Sequence, residues 1–175
     1  MEQLIRLFEQ GQSLEYGRFR MYSQLSKKVI SPEGKQMLVF LAKAEKRHLG
    51  ILKKKAEKLR EKRVIKEEKL PKPIAWNGFS ITSNAIKQGS IIGDINIIEE
   101  AIRSEKYDVP FYSNLAKKCK NKAAKSLFLT LKKEEAMHIR LLNQTRVLLR
   151  KESVRLSAVQ SSRMMFLNAA RVQKH

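Results

Sequence analysis

The sequence predicts an all-α protein, a four-helix bundle made of two repeated helix pairs joined by a long crossover, with an additional C-terminal helix. Three observations carry this reading. Apolar residues recur at three-and-four spacing over long stretches, as on the core-facing stripe of a helix. Only seven Gly and four Pro occur in 175 residues, which disfavours an architecture of strands and tight turns. The chain also repeats itself: "YSQLSKKVISPEGKQMLVFLAKAEKRHLGIL" from Tyr22 lies over "YSNLAKKCKNKAAKSLFLTLKKEEAMHIRLL" from Tyr112, 90 residues later.

The elements follow in order. A first helix is expected over about 2–29, its stripe running Leu4, Phe8, Gly11, Glu15, Phe19, Tyr22, Leu25 and Val29. "SPEGK" makes the turn, with Ser31 as N-cap and Pro32 at the first helical position. The second helix carries Leu38, Leu41, Glu45, His48 and Leu52, and its continuation through Ala56 and Leu59 is expected to take a basic tail beyond the bundle. From about 70 to 92 the periodicity lapses around Pro71, Pro73 and Gly78. That segment is the crossover, with room for a short helix at Ser83 to Lys87 and with Trp76 as a packing anchor. A third helix over about 93–119 carries Ile98, Ala101, Glu105, Asp108, Tyr112 and Leu115, and Pro110 inside it should kink or loosen a turn. A fourth, over about 122–150, carries Phe128, Leu131, Glu135, His138 and Leu142. The domain division is therefore a bundle over 1–150, with repeat halves at about 8–55 and 98–145, followed by a helical extension over 151–175. In that fifth helix Leu156, Val159, Phe166 and Leu167 are apolar, and Met164-Met165 reads as core or interface.

Composition sets limits on function. The formal net charge of +20 makes an acidic partner such as nucleic acid physically reasonable, through salt-dependent nonspecific binding. The run "KKKAEKLREKRVIKEEK" from Lys53 to Lys69 has interspersed Glu and no interleaved aromatic residues, so it reads as a solvated helix rather than a stacking groove. The start, "MEQLIRLFEQ", lacks the apolar run of a signal peptide, and no segment approaches a membrane span. The expectation is a cytoplasmic protein. A single cysteine, Cys119, excludes an internal disulfide and a Cys-x-x-Cys metal site, and reads as a structural thiol near a helix end. His-Glu-x-x-His is absent because Ala44 and Glu134 precede the two motif glutamates, and no phosphate-binding Gly-rich loop occurs.

The chemistry lies in the repeat. Each half reads Glu, seven residues on to Tyr, 23 residues on to Glu, and three further to His: Glu15, Tyr22, Glu45, His48, then Glu105, Tyr112, Glu135, His138. Residues three apart share a helix face, so each Glu-x-x-His presents a carboxylate and an imidazole together. One such pair is a weak signal; its recurrence inside a long repeat is a strong one. In every helix a Glu interrupts an apolar stripe, and four buried carboxylates cannot stay ionised without compensation. Two divalent cations would balance them. With two imidazoles, the oxygen and nitrogen donor set suits iron or manganese, and also zinc.

One Glu from each of two helices, plus Glu-x-x-His from each of the other two, is the arrangement of the ferritin-like di-iron carboxylate bundles. Over about residues 5–145 the chain resembles the rubrerythrin branch of that superfamily. The resemblance implies that Glu45 and Glu135 bridge two irons, that Glu15 and Glu105 are terminal ligands, and that His48 and His138 complete the shells. It implies that Tyr22 and Tyr112 hydrogen-bond near the carboxylates. Rubrerythrins have a further Glu three residues after the third-helix Glu; here "EKYD" puts Asp108 in that place, one methylene shorter, as a candidate seventh ligand. Its counterpart in the first half is Arg18. The Cys-x-x-Cys pairs of a rubredoxin tail are absent, so the electron donor is expected to be separate, such as a rubredoxin. The resemblance implies reduction of hydrogen peroxide to water. The alternatives are a ferroxidase or iron-handling protein that uses dioxygen, and a basic nucleic-acid-binding protein with a secondary metal site. A homodimer is the default expectation, with exchange of half-bundles between chains left open.

Overall fold

The structure, a computed structural model, describes residues 1–61, 64, 72–76 and 88–172, with side chains described for 91–165 of the last stretch. Among the described residues the chain forms four helices: α1 (Glu2–Leu25), α2 (Pro32–Arg60), α3 (Gln88–Lys118) and α4 (Lys122–Val172). It is an all-α, ferritin-like bundle in which α1 pairs chiefly with α2 and α3 with α4. None of the described helices is long and apolar enough to cross a membrane.

Helix α1 ends at Leu25, a turn earlier than the periodicity predicts, because the chain must reverse to reach Ser31. The Ser31 side chain accepts from the backbone N–H of Gly34, and Pro32 occupies the first turn, as expected. The reversal is held from the other half of the molecule. Asp94 of α3, itself buried, accepts the backbone N–H groups of Ile30 at 3.1 Å and Ser31 at 2.6 Å. Gly11 brings α1 close to α2: a Cβ there would lie 3.0 Å from Leu52 Cδ1.

Two expectations are corrected past residue 150, and a third falls only partly within the described residues. In α2 the apolar stripe runs on through Ala56 and Leu59, both buried, with Arg60 pairing with Glu9 of α1 at 2.6 Å, while most of the basic tail expected beyond the bundle lies outside the described residues. The apolar residues of α2 keep the three-and-four spacing, so the helix packs along one face and leaves Lys53 and Lys54 in water. The segment after residue 150 is helical but is no separate fifth helix, since α4 runs unbroken from Lys122 to Val172. No Gly or Pro follows Pro110 in the chain, so nothing in the local sequence stops that helix. Met164 and Met165 are exposed on it and belong to neither apolar core, which corrects the core half of their reading and does not bear on an interface, and Val159 is exposed as well.

Pro110 lies inside α3 at an exposed position, and the helix continues on both sides of it from Gln88 to Lys118. Other expectations hold. Trp76 packs edge-on against Phe40 with ring centroids 5.1 Å apart. Cys119 is a buried thiol just past the end of α3. The expected short helix at Ser83 to Lys87, and the side chains of Phe166 and Leu167, lie outside the described residues.

The core comes in two parts. At one end Leu7, Phe8, Leu52, Leu115, Phe128 and Leu131 form an apolar plug. At the other end Met37, Leu41, Ile98, Ala101, Leu142 and Leu149 form a second. The functional residues occupy the level between them.

Because Asp94 serves two otherwise unpaired backbone donors, Asp94→Ala should lower the unfolding free energy by about 1–3 kcal/mol. Glu57→Ala, at an exposed helix position, should change it by less than about 0.5 kcal/mol. Urea denaturation of the two variants measures both values.

Candidate metal centre

Each of the four helices delivers a carboxylate to the mid-level of the bundle: Glu15 from α1, Glu45 from α2, Glu105 from α3 and Glu135 from α4. One turn after the α2 and α4 glutamates come His48 and His138. All six are at most 1% exposed. Their donor atoms form two groups of four, Glu15–Glu45–His48–Glu135 and Glu45–Glu105–Glu135–His138, in each of which the atoms lie within 4.8 Å of one another.

Glu45 and Glu135 belong to both groups, and each divides its oxygens between them. Glu45 Oε2 is 3.1 Å from His48 Nδ1, while its Oε1 is 3.3 Å from His138 Nδ1. Glu135 Oε1 is 3.1 Å from His48 Nδ1, while its Oε2 is 2.9 Å from His138 Nδ1. The outer carboxylates close the sets, Glu15 Oε2 at 3.6 Å from His48 Nδ1 and Glu105 Oε2 at 3.5 Å from His138 Nδ1. The two imidazoles lie nearly parallel, centroids 5.8 Å apart.

This arrangement fits metal ions better than it fits hydrogen bonding alone. Glu15 Oε2, Glu45 Oε1, Glu105 Oε2, both Glu135 oxygens and His138 Nδ1 are buried without an aligned hydrogen-bond partner, an arrangement that normally carries a large penalty. Neighbouring ligand atoms around an octahedral ion at about 2.1 Å lie about 3 Å apart. The spacings from 2.9 to 3.6 Å match that requirement.

The tyrosines cross between the halves. Tyr22 donates to Glu105 Oε1 at 2.6 Å, and Tyr112 donates to Glu15 Oε1. Each thus fixes one oxygen of an outer carboxylate and leaves the other aimed at the cluster. Burial, reinforced by the charge of Glu105 beside Tyr22 and of Glu15 beside Tyr112, pushes both phenols well above their usual value. They stay protonated and act as donors.

Asp108, the candidate seventh ligand, lies outside both groups. It accepts from Arg18 Nε at 2.6 Å and from Nη2 at 2.7 Å, a bidentate pair made by the very residue that matches it in the repeat. Burial pushes its carboxyl up to about 6 against the opposing pull of Arg18.

The sequence reading missed Glu134 and Arg47. Glu134 Oε2 is 3.1 Å from His48 Nε2, and Arg47 Nη1 donates to the same oxygen at 2.7 Å. The available signal was a difference between the repeats: Glu134 matches Ala44, and Arg47 matches Met137.

The electrostatics divide the six residues. Burial raises Glu15 and Glu105, helped by the charge of Glu45 on the first and of Glu135 and Glu45 on the second. Burial works the same way on Glu45, but the imidazoles of His138 and His48 beside it outweigh it and hold that group well below the usual range. Glu135 is likewise held low, the two imidazoles outweighing burial and the charge of Glu45. Burial would lower both histidines, yet the surrounding carboxylates, led by Glu135 for His48 and Glu105 for His138, raise them well above the ordinary value. Without a cation the cluster therefore shares protons among its members.

Residues 96–168 match the protein-family model described as Rubrerythrin. This segment is a Rubrerythrin-family domain. It contains Glu105, Tyr112, Glu135 and His138, and the repeat extends the same pattern to Glu15, Tyr22, Glu45 and His48 in the other half of the bundle. Among solved structures, a hypothetical protein from Pyrococcus furiosus is similar, with a TM-score of 0.62 and 23% identity over 85% of this chain and 90% of that one. At that identity the likeness concerns the fold. No curated protein matches the chain. The Rubrerythrin-family segment and the buried carboxylate–histidine cluster together fit a di-iron protein.

A metal ion must displace the shared protons, so uptake should release protons and tighten as pH rises. Because both histidines are raised, affinity should go on rising above their ordinary value of 6.5. Calorimetric titration of the metal-free protein with Co(II), in buffers of different ionisation enthalpy, measures the release. A pH-independent affinity above 6.5 would contradict the assignment.

Proposed function

We propose that the cluster holds two iron ions and that the protein is a di-iron oxidoreductase reducing hydrogen peroxide to water. One observation carries the reading: Glu45 and Glu135 each turn one oxygen toward His48 and the other toward His138. That division is what two ions sharing two carboxylates would require. Glu15 and Glu105 serve as terminal ligands, and His48 and His138 as neutral nitrogen donors. This donor set suits iron, and also manganese or zinc.

When bound, two ferrous ions supply the two electrons that convert hydrogen peroxide and two protons into two waters. The protein's share is binding, orientation and dryness. Tyr22 and Tyr112 hold the outer carboxylates from behind, so that these do not swing away from the cluster. The apolar plugs above and below exclude bulk water, which strengthens each electrostatic contact at the site. Electrons return from a donor such as a rubredoxin or a small reductant, since residues 1–175 hold one cysteine, too few for an iron–sulfur site.

Stopped-flow absorbance tests the reaction. Protein loaded anaerobically with two ferrous ions is mixed with hydrogen peroxide or with dioxygen. Peroxide is expected to oxidise the centre much faster. Faster oxidation by dioxygen would overturn the peroxidase assignment in favour of iron handling. Glu135→Ala removes a carboxylate common to both groups, and should abolish the protein-bound oxidation signal with either oxidant.

A further inference from the structure

We infer that Glu134 is a positioning residue that orients His48 and makes the two metal positions inequivalent, the one at Glu15 and His48 holding its ion more tightly than the one at Glu105 and His138. The inference rests on the metal reading above and extends it to the order in which the ions bind.

His48 turns Nδ1 into the carboxylate cluster, so its other ring nitrogen must leave in the opposite direction. There it meets Glu134 Oε2 at 3.1 Å. Glu134 is itself buried, at 7% exposure, and is gripped from the far side by Arg47, Nη1 reaching Oε2 at 2.7 Å and Nη2 reaching Oε1 at 3.2 Å. A carboxylate that accepts from Nε2–H selects the tautomer with its lone pair on Nδ1. It also fixes the ring plane and enriches the donor atom.

Among the described residues the second histidine has no such support. Ala44 stands where Glu134 would be and offers no acceptor; Met137 stands where Arg47 would be. The His138 ring instead meets the Phe40 ring in a T-shaped contact, centroids 6.1 Å apart, and Phe40 is packed in turn against Trp76. The two ligand sets are alike in kind, each with one imidazole, one outer carboxylate and the same two shared carboxylates. Their surroundings differ, ionic behind His48 and apolar behind His138. Glu134 also reaches from α4 to a histidine on α2, so the contact joins the two halves of the repeat at the level of the site.

The test is a stepwise Co(II) titration of the metal-free full chain, followed by visible absorbance and calorimetry, for wild type, Glu134→Ala and Glu134→Gln. Wild type should bind two ions in two resolved steps. Glu134→Ala should weaken the tighter step by about 10–100-fold and leave the weaker step within about twofold. Glu134→Gln keeps the shape and an amide oxygen that can accept from Nε2–H, so it should recover part of the loss. In proton NMR of the Co(II)-loaded protein, the shifted exchangeable ring N–H of the tight site should exchange with water faster in Glu134→Ala. Equal weakening of both steps, no change in either, or a Gln variant no better than Ala would overturn the inference. Should Glu134→Ala not fold, the Gln variant carries the comparison: a loss confined to the tighter step supports the inference, and unchanged or equally weakened steps overturn it. A wild-type protein that takes up no Co(II) would instead defeat the metal reading itself, a result distinct from a two-ion protein indifferent to Glu134.

Discussion

Four carboxylates placed at one level of a dry helical core cannot all be ionised without compensation, and most of this structure follows from meeting that constraint. Apolar plugs above and below the level supply the folding drive, and they also remove the water that would otherwise solvate the charges. The two histidines supply partial compensation, holding Glu45 and Glu135 low while Glu15 and Glu105 are driven up. Oxygens that remain without an aligned partner after all this are the mark of a site shaped for cations.

The repeat meets the constraint twice, and its departures from symmetry separate scaffold from specialisation. Tyr22 on Glu105 and Tyr112 on Glu15 are the same contact made in both directions. Arg18 and Asp108 stand at matching positions yet carry opposite charge, and this lets them pair with each other across the bundle. The second asymmetry, Glu134 and Arg47 against Ala44 and Met137, distinguishes two histidines that the repeat itself makes equivalent. Asp94 plays a purely architectural part in the same scheme, tying the α1–α2 reversal to α3.

Much of this was legible in the residues. The six buried cluster residues announce themselves because a Glu in an apolar stripe conflicts with local hydrophobicity, and the same conflict recurs at one offset in both halves. The Ser31-Pro32 start of α2 is local chemistry and was equally readable. What escaped depended on partners distant in sequence or on signals that are absent. The pairing of Asp108 with Arg18 shows only when the two halves are packed together. Glu134 looks like a spare acid beside a motif until α2 and α4 are packed together. The length of α4 was misread because a helix lacking a stop signal leaves no mark in its sequence.

The central claim is that Glu45 and Glu135 are shared between two ions. Loading metal-free protein with Mn(II) and recording its electron paramagnetic resonance spectrum tests that most directly, because the spectrum distinguishes isolated from exchange-coupled ions. The account predicts two ions per chain and the spectrum of an exchange-coupled pair. A single ion per chain, or ions that give only the spectrum of isolated Mn(II), would contradict it.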